Sequence, residues 1–438
     1  MKQRFFFRLT CHLPRALVLL LCLALLAGCS GAPATSDSST PIATGKYEFI
    51  DSSAPSFVAP PQNTAAAPAK SADISTLPLE ELLPQSKDFA ILFVNVGKAD
   101  AAILRFGETA VLIDTGTAES APQLIAGLNA LGITHLSAVF ITHNGGDHLG
   151  GLDALSANYD IPMVYSPFFS EADKNGIRKI VKQAQKLHLP HAELKAGDVV
   201  PITIDVSFAV LGPLSLNEVD DNDNSLVLQF AYKDVTFLFT GDMQFPEEQE
   251  IIASGATLKS DVLKVGNHGN PDATGDDFSA LVSPEYAVIS TNTMVDKDSA
   301  NPRVYAALPM AQIVVTEDYP IGVLLTLDES GAVTISNPAR EASDSPVWVG
   351  DFDVEAQTIT LFNSGTAPAD LSGMILFSIR SGATLRFPEG TVLGTEASLT
   401  VGESGDFSFK GEDKPLKKKN NTVILYDRFG TLISKLEQ

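Results

Sequence analysis

Three textures of apolar and polar residues follow one another along the chain. The first is an unbroken apolar run, Ala16 to Ala27, preceded by Lys2, Arg4, Arg8 and Arg15. A permanent span of a bilayer takes about 20 residues, so this run fits the apolar core of an export signal over residues 1–28. The second texture, residues 29–86, is rich in Ala, Ser, Thr and Pro and has no sustained periodicity. Such a stretch buries too little surface to offset its conformational entropy, and it reads as a flexible tether.

The third texture begins at Phe89. FAILFVNV (89–96), AAILRF (101–106) and TAVLID (109–114) are short β-rich runs separated by Gly97 and Gly107. Leu124, Leu128 and Leu131 then recur at helical spacing, with Gly132 where a helix C-terminus ends. LSAVFI (136–141) reads as a strand buried on both faces, and residues 177–187 as an amphipathic helix. SLVLQF (225–230) and VTFLFT (235–240) form a predicted hairpin about Lys233-Asp234, and DVLKVG, YAVIS and QIVVTE supply later strands. The alternation predicts an α/β unit over residues 87–337 with functional loops at strand ends. After a linker, residues 345–438 are all-β in character, with short strands broken by Gly, Pro and Asn at sandwich spacing.

Composition narrows the chemistry. The 438 residues include only three cysteines, Cys11, Cys22 and Cys29. The folded body therefore has no thiol for a disulfide framework, a thiolate-bound metal or a nucleophile. Any metal must be held by His, Asp or Glu. Asp and Glu total 53 against 30 Lys and Arg, and the first 28 residues hold four of the bases and no acid. So acidic a chain argues against a general polyanion-binding surface.

Leu26-Ala27-Gly28-Cys29 resembles the lipobox of bacterial lipoproteins, in which cleavage precedes an acylated cysteine. The resemblance implies a lipid anchor at Cys29, membrane attachment and display on the extracytoplasmic face.

The strand at 136–141 runs into Thr142-His143-Asn144-Gly145-Gly146-Asp147-His148-Leu149-Gly150-Gly151. This T-H-x-x-x-D-H-x-G-G arrangement resembles the second motif of the metallo-β-lactamase fold. Phe93-Val94-Asn95-Val96-Gly97-Lys98-Ala99-Asp100-Ala101 is similar to F-x-D-V-G-x-G-D-A, and Ile113-Asp114-Thr115-Gly116 to I-D-T-G. Asn222-Asp223-Asn224-Ser225-Leu226-Val227-Leu228, Phe239-Thr240-Gly241-Asp242 and Leu263-Lys264-Val265-Gly266-Asn267-His268-Gly269 resemble N-x-x-S-L-V-L, L-T-G-D and L-K-V-x-H-H-G. Together these point to the C-terminal hydrolase domain of ComEC-type DNA-uptake competence proteins.

That resemblance implies a four-layer αββα sandwich and a divalent metal, zinc or manganese, as one or two ions. It implies His143, Asp147, His148, Asp242 and His268 as ligands, Asp147 and Asp114 as catalytic residues, with Asp114 orienting the ligands, and Asn267 and Asn224 lining the site. A cation held without thiolates needs imidazole nitrogen and carboxylate oxygen, which this set offers. Taken alone, Asp147 could instead cap a helix, His268 could be a turn residue, and the Asn222–Asn224 stretch a turn. His135, His188 and His191 fit no spacing and read as surface or core residues.

The match departs from the family at two ligand positions. Gly145 stands where H-x-[HD]-x-D-H has its second ligand, and Asn267 where H-H-G has its first histidine. Asn95 and Ala99 also replace an acidic residue and a glycine. Three states of the site follow: mononuclear and active, binuclear with an unusual ligand, or inactive. The expected function is an anchored, extracytoplasmic metal-dependent hydrolase, phosphodiesterase-like, acting on a nucleic acid or another phosphate ester. The alternative is a catalytically impaired binding protein. No apolar run beyond Ala27 approaches spanning length, so the polytopic uptake channel itself is not expected.

ITLFNSG (359–365), Ala369 to Met374, Leu385 to Gly390 and VILYDRFGTLIS (423–434) resemble, in order, phrases of the lamin-tail domain, an immunoglobulin-like sandwich. Met374 takes the place of its usual Trp. This implies a binding or targeting module, with a cell-surface polymer or protein as partner. Lys410, Lys414, Lys417, Lys418 and Lys419 read as a solvated hairpin rim, with contact to phosphates as the alternative.

Overall fold

The computed structural model describes residues 71–339 and 344–438. The signal, the lipobox with Cys29 and most of the tether lie outside the described residues. The end of the tether does not stay a tether. Ser75–Pro78 is a strand that pairs in parallel with Val333–Ala339, and Leu79–Gln85 is a helix whose Leu79 and Leu82 are buried. Three leucines within six residues, Leu77, Leu79 and Leu82, bury enough surface to hold this short segment, although the composition around them is polar.

Two sheets stack face to face. The first has nine strands in the order Ser75–Pro78, Val333–Ala339, Gly322–Leu327, Phe89–Val94, Ala102–Phe106, Thr109–Ile113, Ala138–Phe140, Val164–Pro167 and His191–Leu194. The second has seven, running Gln312–Val315, Tyr286–Ile289, Val262–Lys264, Val235–Phe239, Val227–Tyr232, Ser207–Gly212 and Val199–Pro201. Between them lies an aromatic core of Phe89, Phe93, Phe106, Phe140, Phe208, Phe230, Phe237 and Phe239. Phe208 and Phe230 stack at 4.7 Å and Phe230 and Phe237 at 4.8 Å between ring centroids.

Helices cover the outer faces. Leu124, Leu128, Leu152 and Leu155, from Ala121–Ala130 and Leu152–Asn158, pack on Leu92, Ile103 and Leu112 of the first sheet. Ile251, Phe278 and Val304 cover the second in the same way. The result is an αββα sandwich, as the metallo-β-lactamase resemblance implies; the strand–helix alternation by itself predicts the α/β character. Elements are shorter than their apolar runs. The strand at 89–96 stops at Val94, and the helix expected from Ile177 begins at Lys179 with Ile177 partly exposed. Asp114 leaves its strand in the left-handed region (φ 59°), a conformation that Asp adopts more readily than most residues.

A β-rich region follows, with a separate core around Ile359, Leu361, Leu371, Leu376, Phe387 and Leu425. It docks on the outer helices of the first sheet through polar contacts. Buried Asn129 donates to Gly373 O (3.1 Å) and Arg428 O (2.8 Å) and accepts from Arg386 Nε (2.6 Å). Asn158 accepts from Arg386 N at 2.7 Å. Asn129 is buried and Asn158 half-buried, each at or next to the last residue of its helix, so the docking is specific.

Candidate metal centre

Parallel strands set the position of the site. Thr109–Ile113 and Ala138–Phe140 pair in parallel in one sheet, and Val235–Phe239, Val262–Lys264 and Tyr286–Ile289 in the other. The loops leaving their C-terminal ends carry Asp114, His143 to His148, Asp242, His268 and Ser290, and they converge at one place, where open α/β sheets bind ligands.

Asp147, His148, Asp242 and His268 offer ligand atoms that all lie within 4.8 Å of one another. His148 Nε2 and His268 Nε2 each lie 3.2 Å from Asp242 Oδ2, and His268 Nε2 lies 3.4 Å from Asp147 Oδ2. Ligand bonds of about 2.1 Å in a tetrahedron imply ligand separations of about 3.4 Å, which these distances match. His148 Nε2, His268 Nε2 and Asp242 Oδ1 are buried without any hydrogen-bond partner. Buried polar atoms are nearly always partnered, so this converging trio fits a cation.

The other face of each ring is fixed. His148 Nδ1 bonds Asp114 Oδ2 at 2.8 Å, and Asp114 also accepts from Thr142 N (2.7 Å) and Thr142 Oγ1 (2.8 Å). His268 Nδ1 lies 2.8 Å from Ser290 O. A carbonyl only accepts, so Nδ1 must carry the proton and Nε2 is left to the centre. His268 reaches this position through two consecutive left-handed residues, Asn267 (φ 42°) and His268 (φ 54°). Asn267 itself donates from Nδ2 to Asp272 Oδ1 at 3.0 Å.

Electrostatics point the same way. Burial opposes charging His148 and His268, but Asp242 foremost overcomes it, holding His148 well above its ordinary range and His268 at about 9. Burial likewise opposes ionising Asp147 and Asp242. The facing histidines nevertheless keep both below the usual carboxylate range. A field that retains protons at those nitrogens is a field that favours a cation there. Asp147 caps no helix; Gly145 occupies the N-terminal position of the turn Gly146–Leu149.

A family model described as "Metallo-beta-lactamase superfamily" matches residues 94–293. Those residues form a metallo-beta-lactamase domain. Over 169 residues, 38% of this chain and 21% of the relative, the sequence is 34% identical to ComE operon protein 3 of Bacillus subtilis. It is 29% identical over 217 residues, 48% of the chain and 28% of the relative, to competence protein ComA of Neisseria gonorrhoeae. The chain thus spans between about a fifth and three-tenths of the length of these curated relatives. The solved metallo-beta-lactamase fold protein YhfI of B. subtilis aligns over 57% of the chain and all of its own length, at 12% identity and a TM-score of 0.38.

In the metallo-beta-lactamase domain, His143 stands beside the four-residue group and outside it. Its Nε2 is 3.9 Å from Asp242 Oδ2, and its ring is 4.2 Å from that of His148. Burial, then the charge of His148, lowers its pKa and keeps it neutral. Asn224 is also displaced from the expected role. It is buried, accepts from Asn217 N (2.8 Å) and donates to Asn217 O (2.9 Å), bracing the loop before the Val227–Tyr232 strand. Of the three remaining described histidines, His135 and His188 are exposed and His191 bonds Ser166.

Sequence reasoning passed over Lys98, Asp100 and Lys264. Lys264 Nζ meets Asp100 Oδ2 at 2.6 Å, both buried, and Asp100 Oδ1 lies 3.8 Å from His268 Nδ1. Lys98 Nζ bonds Asp147 Oδ2 at 2.8 Å. A lysine inside the apolar run Val262 to Val265 was the available signal, since a buried ammonium requires a partner. A groove of about 410 Å³ opens beside the ligands, lined by His143, Asn144, Gly145, Lys179, Lys182 and Asp221 among others.

Proposed function

We propose that the chain is a metal-dependent hydrolase of phosphate esters, displayed outside the cytoplasm on a membrane through a lipid at Cys29. The observation that carries the metal-dependent part is the pair of buried, unpartnered Nε2 atoms of His148 and His268, each 3.2 Å from Asp242 Oδ2. Bound by these residues with Asp147, a divalent ion such as zinc or manganese supplies a Lewis acid for a phosphoryl oxygen and lowers the pKa of water.

The chain's own residues do the rest. Asp114 holds the proton on His148 Nδ1, and Ser290 O does so for His268. Neutral His143 lines the groove and can take a proton from water or return one to a leaving oxygen. Lys179 and Lys182 offer positive charge along the groove, but Glu171, Asp173 and Asp221 share the lining. That mixture suits a short ester or nucleotide better than an extended polyanion. Turnover of bis(p-nitrophenyl) phosphate with zinc or manganese, lost in Asp242→Ala, tests the reading; no turnover with either metal counts against it.

Gly145, which leaves the second ligand position without a side chain, favours a second reading as a binding protein that retains the fold. Near-stoichiometric metal together with turnover abolished by Asp147→Ala removes that reading. The β-rich region after residue 344 is read as a lamin-tail-like module that binds a cell-surface polymer or protein. Its strand phrases and separate core support this, with Met374, nearly buried, in place of the usual Trp. The lysines at 410, 414, 418 and 419 are exposed and Lys417 is half-buried, consistent with a solvated rim.

A further inference from the structure

We infer that the site holds a single metal ion and that the Lys98 ammonium supplies, in place of a second ion, the positive charge that meets the substrate's phosphate. The inference rests on the metal-dependent reading above and deepens it.

Gly145 is the first observation. A Cβ built there would lie 2.5 Å from His143 Nε2 and 2.8 Å from Asp147 Oδ1. Both side chains lean over the bare Cα, so the room that a ligand side chain at 145 would leave through is already filled. What remains on that side is His143, 3.9 Å from a carboxylate oxygen that the other group already uses. With Asp147 Oδ1, whose carboxylate also belongs to that group, a further ion would have one imidazole of its own and otherwise only carboxylates already in use, too few to hold it against water.

Lys98 is the second. Among the described residues it is the one lysine or arginine paired with any of the four ligands, and it bonds the same Asp147 that leans over Gly145. Its side chain is 26% exposed and that of Asp147 23%, so the pair stands at the edge of the site and is not sealed in as a fully buried ion pair. Asp147 uses one of its three N–H donors. A divalent ion on two ligand carboxylates and two neutral imidazoles is formally neutral. Lys98 makes that group singly positive, the complement of the single negative charge on a phosphodiester.

The test uses the full chain, loaded separately with zinc and manganese, with inorganic phosphate as probe. Wild type and Lys98→Met are each expected to bind one ion per chain. Removing a cation from Asp147 should leave metal affinity equal or higher, while phosphate affinity falls about tenfold. Lys98→Arg should restore phosphate affinity to within about threefold. A merely structural role would weaken metal and phosphate together. Two ions in wild type, or phosphate affinity unchanged in Lys98→Met or lost only in step with metal, overturns the inference. One ion with this phosphate pattern but no turnover of any ester overturns the hydrolase reading alone; no metal at all overturns both.

Discussion

Asp114 Oδ2 and His148 Nδ1 are 2.8 Å apart, both fully buried, and that bond decides which ring nitrogen of His148 faces Asp242. Asp114→Asn preserves size and tolerates the left-handed backbone at this position, but it replaces a pure acceptor by a group that also donates. Metal affinity is expected to fall roughly 10–100-fold with little change in the unfolding temperature of the metal-free protein. Competition with a chromogenic chelator measures it. An unchanged affinity would mean that Asp114 does not orient the ligand.

Protons and metal compete for the same nitrogens. His268 is raised from 6.5 to about 9, and His148 is raised as well. A raised base stabilises the metal-free fold fully below pH 6.5 and loses that contribution as pH rises through 9. The rise in unfolding temperature produced by zinc should therefore be small near pH 6 and grow steadily towards pH 9. Scanning calorimetry of chelated and loaded protein across that range checks the sign; a gain that shrinks with pH contradicts it.

Glu248 carries a second pH effect away from the ligands. It is buried and accepts from Thr274 N and Gly275 N, and burial pushes its carboxyl from 4.5 up to about 7. Because the shift is upward, the protonated acid stabilises the fold below pH 4.5, and that contribution is lost as pH rises through 7. The loss amounts to about 3 kcal/mol by pH 8. Glu248→Gln sacrifices one hydrogen bond, about 1 kcal/mol at pH 5, but should flatten this slope so that the variant overtakes wild type at about pH 6 and is the more stable by roughly 1–2 kcal/mol at pH 8. Urea unfolding at pH 5 and pH 8 gives both values.

The layer order and the ligands from 147 to 268 were legible because each lies in a short motif at the end of a β-rich run. What could not be read were relations across the sheets. Thr142 matters through its bond to Asp114, Ser290 through its bond to His268, and Asp100 through its charge 3.8 Å from His268, relations that no linear spacing reveals. His143 matched its motif, yet stands outside the four-residue group because glycine at 145 lets its ring fall inward. Ser75–Pro78 looked like linker because its pairing partner, Val333–Ala339, lies more than 250 residues downstream. Asn224 matched a site motif but closes its own loop, as asparagine does readily in turns.

The most direct measurement is the metal content of the purified protein beside that of the Asp242→Ala/His268→Ala double variant. The geometry predicts close to one zinc or manganese ion per wild-type chain and less than about a tenth as much in the variant, since two ligands of a four-ligand site are gone. Equal metal in both proteins, or none in either after exposure to zinc and manganese, would contradict the assignment of this site.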